Sequence, residues 1–431
     1  MRRMDVEDAA RLGADGLRRA GYELLHRLGT GGMGEVWAAA RIGIEGAVKP
    51  CAIKVIRPEH AEDARYRRLF VAEGRLAMML GHSNIVSVFD VGAVGRRLYM
   101  AMEWVDGVDL GTFRRRAQRS NRGQPLSIAE AAHVTGALLD ALGYAHGFRI
   151  AGHEHGIVHR DISPRNVMIT SHGEIKLMDF GLAGLALMGE GTGPRFRGTL
   201  RYLSREQARG RPEPASDLFA VGAILHELLD GRKFRHPHRE EGALVASIFE
   251  EGIPPLDRRI PDVLEELRRG LLEPRAELRF RTAQRALTTL ASWPGHRNRR
   301  LQLETRYRQC FGVPHSGLTG LLSMGGLGER LDELLRRRDR EAALAARLRE
   351  GQSTAPWVAG DSASARGVTP TSADEVGSIL RPRPPERAMA HRAATPAGPP
   401  DDAADELDQE ITEPWSGPPP AEDELGDSAM A

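Results

Sequence analysis

The stretch LGTGGMGEVW places Gly29, Gly31 and Gly34 at G-x-G-x-x-G spacing, with Val36 two residues further on. Glycines at this spacing bring bare backbone amides close to phosphate oxygens, either in a strand-to-helix turn or in a hairpin. The flanking residues decide between the two. EVWAAARI after the glycines alternates like a strand, and YELLHRLG before them does the same. The glycines therefore sit in a hairpin. That excludes the strand–helix–strand unit of a dinucleotide fold, and with it an oxidoreductase of that type. A Gly-rich hairpin without a ligand remains open at this point.

Composition removes other classes. Over 431 residues, 60 basic and 59 acidic side chains nearly cancel, so a polyanion partner is not expected. Cys51 and Cys310 are too few for a disulfide framework or a Cys-based zinc site, which points to a reducing compartment. No apolar run reaches the roughly 18 residues of a membrane span. The N-terminal MRRMDVEDAARLGADGLRRAG lacks the apolar stretch of a signal peptide. The expectation is a cytoplasmic protein with no nucleic-acid or membrane partner. Only four of the 60 basic residues are lysines: Lys49, Lys54, Lys176 and Lys233. A bias towards Arg replaces Lys wherever either serves, so each remaining Lys points to a need for a compact ammonium.

After the hairpin, CAIKVI reads as a third strand. RYRRLFVAEGRLAMMLG spaces Leu69, Phe70, Ala72, Leu76, Met79 and Leu80 three and four apart, which predicts an amphipathic helix. IVSVFDVGAV and RRLYMAMEW add two strands. Beyond Gly107 the patterns are helical: SIAEAAHVTGALLDALGYAHG, ASDLFAVGAILHELLDG, PDVLEELRRGLLE and RTAQRALTTLASW. A small β-rich part followed by a larger helical part predicts an α+β fold of two lobes with a cleft between them. Residues 1–20 read as an N-terminal arm and 297–350 as a helical extension, in which Leu327, Leu331, Leu334 and Leu335 mark one face. Residues 351–431 are rich in Pro, Ala and acids and too poor in apolar residues to offset ordering entropy, so a disordered tail is expected. From Pro399 onward it carries eleven acids and no base. The 325–350 helix and the acidic end are the candidate surfaces for self-association or partner docking. The Arg-rich LLRRRDR within that helix is interleaved with Asp332, Glu333, Asp339 and Glu341, which favours a solvated or partner-binding face over nucleic acid.

Twenty residues after Gly34, Lys54 lies on a strand among apolar neighbours, and Glu73 follows nineteen residues later on the amphipathic helix. From here the sequence resembles the protein kinase superfamily, in its bacterial eukaryotic-like (Hanks-type) serine/threonine form, over about residues 21 to 296. The resemblance implies the bilobal kinase fold, with an N-lobe at 21–103 and a C-lobe at 104–296. It implies ATP as phosphate donor, Mg2+ (or Mn2+) as metal, and Ser/Thr hydroxyls of proteins as acceptors. By that resemblance MEWVDG is the hinge, Met102 the gatekeeper, and the backbone of Glu103 to Val105 the adenine partner. Leu28, Val36, Ala52 and Met168 form the apolar slot around the base. Gly29, Gly31 and Gly34 cover the phosphates, and Lys54, oriented by Glu73, contacts them. HRDISPRN supplies Asp161 for the attacking hydroxyl and Asn166 for the metal; MDFG supplies Asp179, the main metal ligand. Asp217 caps the catalytic-loop backbone, Glu206 pairs with Arg279, and Thr199 in GTLRY is the serine/threonine form.

Three places depart from the family pattern. Ser163 stands where a lysine is usual, Arg205 replaces a proline, and GFRIAGHEH is inserted before the catalytic loop. Losing the lysine's contact would cost about 3–4 kcal/mol, or roughly 10²–10³-fold in rate, unless Arg165 supplies the charge. A pseudokinase scaffold is the alternative; against it, Lys54, Glu73, Asp161, Asn166 and Asp179 are all retained. His153, His155 and His159 lie close together, but no fourth ligand for zinc is nearby. In the activation loop, Thr192 is the expected autophosphorylation site, with Arg160 as the phosphate's partner.

Overall fold

The computed structural model describes residues 14–30, 34–44, 47–57, 60–149, 156–180, 200–238 and 240–312, with isolated helical positions between 336 and 347. Gly31, Gly181, the inserted histidines His153 and His155, Thr192, Thr199 and the 351–431 segment lie outside the described residues, as does most of 325–350.

The N-terminal part is an antiparallel sheet in the order β1-β2-β3-β5-β4, built from β1 (Tyr22–Thr30), β2 (Gly34–Ile42), β3 (Val48–Ile56), β4 (Val88–Val94) and β5 (Arg97–Glu103). Side chains alternate across a sheet, so register decides which residues face the cleft. Val36 pairs with Lys54, Lys54 with Met100, and Ala52 with both Ala38 and Met102. These line the inner face. The outer face packs Trp37, Ile53, Cys51 and Ala101 in a separate cluster with Leu17 and Tyr22. A one-residue slip would bury Lys54 on the wrong side.

Ahead of β1, the described part of the expected arm is a short helix, α1 (Ala14–Arg19). It is fastened rather than free: Leu17 is buried in the outer cluster, and Arg18 holds Glu23 at 2.7 Å. The predicted amphipathic helix is α2 (Ala64–Met79), N-capped by Asp63 through the amides of Arg65 and Tyr66. Its buried face is Phe70, Glu73, Gly74 and Ala77. Met79, expected on that face, is instead exposed along with Met78. The helix meets the sheet along one narrow edge, where Gly74 lies close to Val91 and Met100, and its last turn runs past that contact.

The helical part is organised around α6 (Pro214–Asp230), buried from Ser216 to Leu229 and stopped by Gly231 at φ 81°. A helix apolar all round belongs in the middle of a core. Against it pack α4 (Ile128–Gly147) and α8 (Asp262–Leu272), and α9 (Ala283–Ser292) packs on both of those; α5 (Arg205–Ala208) and α7 (Glu241–Glu250) pack on each other, and α7 also meets the turn at Leu200–Tyr202. A small sheet of β6 (Gly107–Asp109), β7 (Val167–Thr170) and β8 (Ile175–Leu177) joins this part to the strands, followed in sequence from β6 by α3 (Leu110–Ser120). α10 (Arg300–Phe311) lies beyond the boundary expected at 296 and is packed into the same core. Leu303 is fully buried, Arg306 pairs with Glu130 at 2.6 Å, and Tyr307 and Phe311 stack against Phe113.

Burial leaves a titration signature. His226 of α6 is buried beside Arg268, and both effects, burial first, lower its pKa to about 4. The unfolded chain binds this proton near pH 6.5 and the folded chain does not, so stability falls as pH drops from about 6.5 to 4. The loss from this group is on the order of 3 kcal/mol. Urea denaturation at pH 7 and pH 4.5 should show a smaller difference for His226→Gln than for the wild type; equal differences would refute the assignment.

Candidate active site

Lys54, carried inward by β3, is the centre of the site. Its Nζ lies 2.8 Å from Glu73 Oε1 on α2 and 3.1 Å from Asp179 Oδ1 after β8. Burial works against the ammonium, but the charges of Asp179 and Glu73 outweigh it and raise the Lys54 pKa. Burial likewise pushes the Glu73 carboxyl up, and Lys54 opposes that shift. The ammonium is held charged at neutral pH, and three residues distant in sequence meet at one nitrogen.

Beneath it, the catalytic loop is held from behind. Asp217, buried at the start of α6, accepts the backbone N–H of His159 and of Arg160, each at 2.8 Å, and contacts His146 Nε2 at 2.8 Å. These bonds hold Arg160 at φ 69°, a left-handed conformation that costs a non-glycine residue of order 1 kcal/mol. His159 Nδ1 accepts the Asp161 amide, so Nε2, 3.0 Å from the Met178 carbonyl, carries the proton. Burial lowers the His159 pKa, consistent with this neutral form. Both ring nitrogens are therefore occupied, and no metal-binding group of three or more His, Cys, Asp or Glu is found among the described residues. Phe180 packs on the same imidazole, 4.6 Å between centroids, which positions Asp179 at φ 57°. Asn166 donates from Nδ2 to the Asp161 carbonyl at 2.7 Å and to its carboxylate at 2.9 Å.

Above the loop, the glycines differ in what they serve. A Cβ on Gly34 would lie 2.6 Å from the Val55 carbonyl, so the protein's own packing demands glycine there. At Gly29 nothing among the described residues lies within 4 Å of an added Cβ, so none of them fills the room left by the missing side chain. The pairs Gly29–Val36 and Thr30–Glu35 confirm the hairpin. Val36, Ala52, Met102 and Val105 share one apolar cluster. Leu28 is 45% exposed and Met168 half-buried; neither is in a buried cluster, which leaves two apolar surfaces facing outward. At the hinge, the Glu103 N–H is already bonded to the Ser87 carbonyl at 2.8 Å, and the Glu103 carboxylate pairs with Lys176 of β8 at 2.6 Å.

Ser163 is buried, its carbonyl accepting the Asn166 amide at 3.0 Å, while Arg165 is exposed. Arg205, in the proline's place, donates to the carbonyls of Ile248 and Glu251 and so ties α5 to α7. Glu206 and Arg279 meet at 2.7 Å. Sequence reasoning missed His146 and the buried Glu227, whose carboxylate takes Tyr202, Arg114 and the Phe234 amide from three separate segments.

The protein kinase domain family matches residues 22–289. The chain belongs to the protein kinase family. Among its relatives, a probable serine/threonine-protein kinase of Corynebacterium efficiens is 37% identical over 54% of this chain and 34% of its own length. Serine/threonine-protein kinase PknA of Mycobacterium tuberculosis is 33% identical over 61% of this chain and 58% of its own. The tyrosine-protein kinase MasK of Myxococcus xanthus is 35% identical over 61% and 41%. The chain thus spans between about a third and three-fifths of these relatives' lengths. Among solved structures, the PknI kinase domain of M. tuberculosis aligns with 27% identity and a TM-score of 0.47, covering 63% of this chain and 96% of that one. No helix of the described residues is long and apolar enough to cross a membrane.

Proposed function

We propose that this chain is an active serine/threonine protein kinase that transfers the γ-phosphate of ATP to Ser/Thr hydroxyls of proteins, itself included, in the cytoplasm. The observation that carries the reading is the meeting of Lys54, Glu73 and Asp179 at one nitrogen, next to an Asp161 steadied by Asn166. Phosphoryl transfer asks a protein mainly for positioning and for charge stabilisation, and these residues supply both.

In this reading Leu28, Val36, Ala52 and Met168 enclose the base, and the Glu103–Val105 backbone reads its edge. Gly29, Gly31 and Gly34 bring amides over the phosphates, and Lys54 holds two phosphate oxygens. Asp161 orients the acceptor hydroxyl and takes up its proton. The metal fits the donors present: Asp179 offers a partly exposed carboxylate, and Asn166 uses its NH2 on Asp161, which leaves its amide oxygen. An all-oxygen set suits Mg2+ (or Mn2+), which when bound would neutralise phosphate charge. Full-length protein with labelled ATP should label itself or a generic basic substrate only when Mg2+ is present. Label that persists in excess EDTA, or no label at all, would overturn the proposal; the latter would favour a scaffold.

Arg165 supplies the charge that Ser163 lacks. Its support is position: Ser163 is small and buried, whereas Arg165 is exposed on the same loop. Arg165→Ala should lower kcat about tenfold or more, and much less when Ser163→Lys is also present. Equal losses in both backgrounds would sink this role.

Thr192 is the autophosphorylation site, and Arg160 receives its phosphate. Burial lowers the Arg160 pKa, and its Nε has no hydrogen-bond acceptor among the described residues, so an added anion would be a matched partner. Mass spectrometry of the active protein should find Thr192 phosphorylated, and an unmodified loop in active protein would exclude it.

A further inference from the structure

Away from the cleft, the helical part encloses a cavity of about 430 Å³ between the end of α6, the turn at 232–237, α7 and the connection at 251–257. Its floor is apolar, formed by the buried side chains of Phe219, Phe234, Ile248 and Leu272. On its wall stands Arg235, whose guanidinium lies 5.5 Å from the Phe219 ring centre and 5.1 Å from that of Phe234. The chain accepts a left-handed backbone, φ 52°, to place it there.

Arg235 is a half-buried cation with no ion-pair partner among the described residues. Burial lowers its pKa to about 10, and the nearby charge of Glu251 offsets this only in part. The carboxylates that share the cavity are engaged elsewhere: Asp230 and Asp257 with Arg232, and Glu251 with His238. Among the described residues Nη1 alone makes the side-chain hydrogen bonds of Arg235, donating to the carbonyls of Leu200, Arg201 and Leu203 at 3.0–3.2 Å. Among the described residues Nε and Nη2 have no acceptor, and neither is sealed from solvent. That edge is the guanidinium fork that donates two parallel N–H bonds to the oxygens of a planar anion. A half-buried charge with no counter-ion among the described residues is partly stripped of water, and an anionic ligand on its open edge would offset that cost.

We propose that this cavity binds an amphipathic carboxylate, its two oxygens on Nε and Nη2 of Arg235 and its apolar body on Phe219, Phe234, Ile248 and Leu272. A single uncompensated charge matches a carboxylate rather than a phosphate dianion. The volume is at the small end for ligand pockets and suits a body of roughly ten carbon atoms. The occupant sits one guanidinium away from the Leu200–Leu203 segment, which Arg201 also ties back to the carbonyls of Phe234, Arg235 and His238. The site is independent of the catalytic reading, because it would bind in an inactive protein as well.

Calorimetry on the full chain with decanoate, below its micellar concentration, tests the site directly. Decanoate should bind saturably at one site, and decan-1-ol and decyl phosphate at least tenfold more weakly. Ile253→Trp, which adds bulk to the cavity lining and leaves Arg235 itself unchanged, should weaken decanoate at least tenfold. Arg235→Lys keeps the charge but loses the fork and should weaken it similarly; if that variant fails to fold, the Ile253→Trp comparison carries the test. No binding by wild type, equal affinity in Ile253→Trp, or an alcohol as tight as the acid would each overturn the proposal.

Discussion

Lys54→Met should slow phosphate transfer about 10²–10³-fold, the usual loss when one preorganised charge is removed from a reacting oxyanion. Methionine keeps the length and apolar stem, so β3 and its register should survive; what disappears is the ammonium at 2.8 Å from Glu73 and 3.1 Å from Asp179. The effect should fall on kcat as well as on ATP affinity, because Asp179 and the phosphates both lose the charge that aligns them. A second consequence separates the loss of charge from general damage. Burial already raises the Glu73 carboxyl, and Lys54 is what opposes that. Without it the folded-state pKa rises further, above the unfolded value near 4.3. The variant should then be relatively stable at acid pH and lose stability as pH rises through the Glu73 pKa, a slope opposite in sign to that of His226. Single-turnover kinetics and urea denaturation across pH measure both. A kcat within threefold of wild type would remove Lys54 from the mechanism.

The sequence revealed Lys54 through two local signals, a lysine surviving in an Arg-biased chain and a position on an apolar strand. The register of β2, β3 and β5 then turned it inward, as a half-buried sheet must. Glu73 was legible from its helix, but periodicity placed Met79 on the same packed face. A helix that rests on a sheet along a narrow edge uses only part of its apolar stripe, and no spacing rule says which part. The Glu227 cluster left no trace in any window. Arg114, Tyr202 and Phe234 come from three segments, and a buried carboxylate with three partners looks like any surface glutamate until the fold closes. α10 was read as an extension because its partners are aromatic contacts nearly two hundred residues apart, Phe113 with Tyr307 and Phe311. At Ser163 the letters pose a question about charge; in the fold the serine is buried and Arg165 is exposed.

Arg279→Ala should destabilise the protein by about 3–5 kcal/mol, the range for removing one partner of a buried ion pair. Its side chain is inaccessible, and its guanidinium holds Glu206 at 2.7 Å together with the carbonyls of Ala215, Glu273 and Pro274. Burial alone would raise the Glu206 carboxyl, but hydrogen bonds and charge from Arg279 hold it below the ordinary range. Without Arg279 that balance reverses, and a partly buried carboxylate and three carbonyls lose their donor together. Because Glu206 has a depressed folded pKa, the pair's contribution is present above the unfolded value and fades as pH falls through the folded one. The gap between wild type and Arg279→Ala should therefore narrow in acid. Glu206 also takes the Ser216 hydroxyl at 2.8 Å, at the start of the helix whose Asp217 caps the catalytic loop. Loosening Arg279 should accordingly reach the active site through α6, lowering kcat while leaving the ATP slot intact. Arg279→Lys keeps the charge without the fork and should fall between the two. Urea unfolding at pH 7 and pH 4.5 decides: a loss below 1 kcal/mol, or a gap that widens in acid, would show that packing rather than the ion pair holds this corner of the fold.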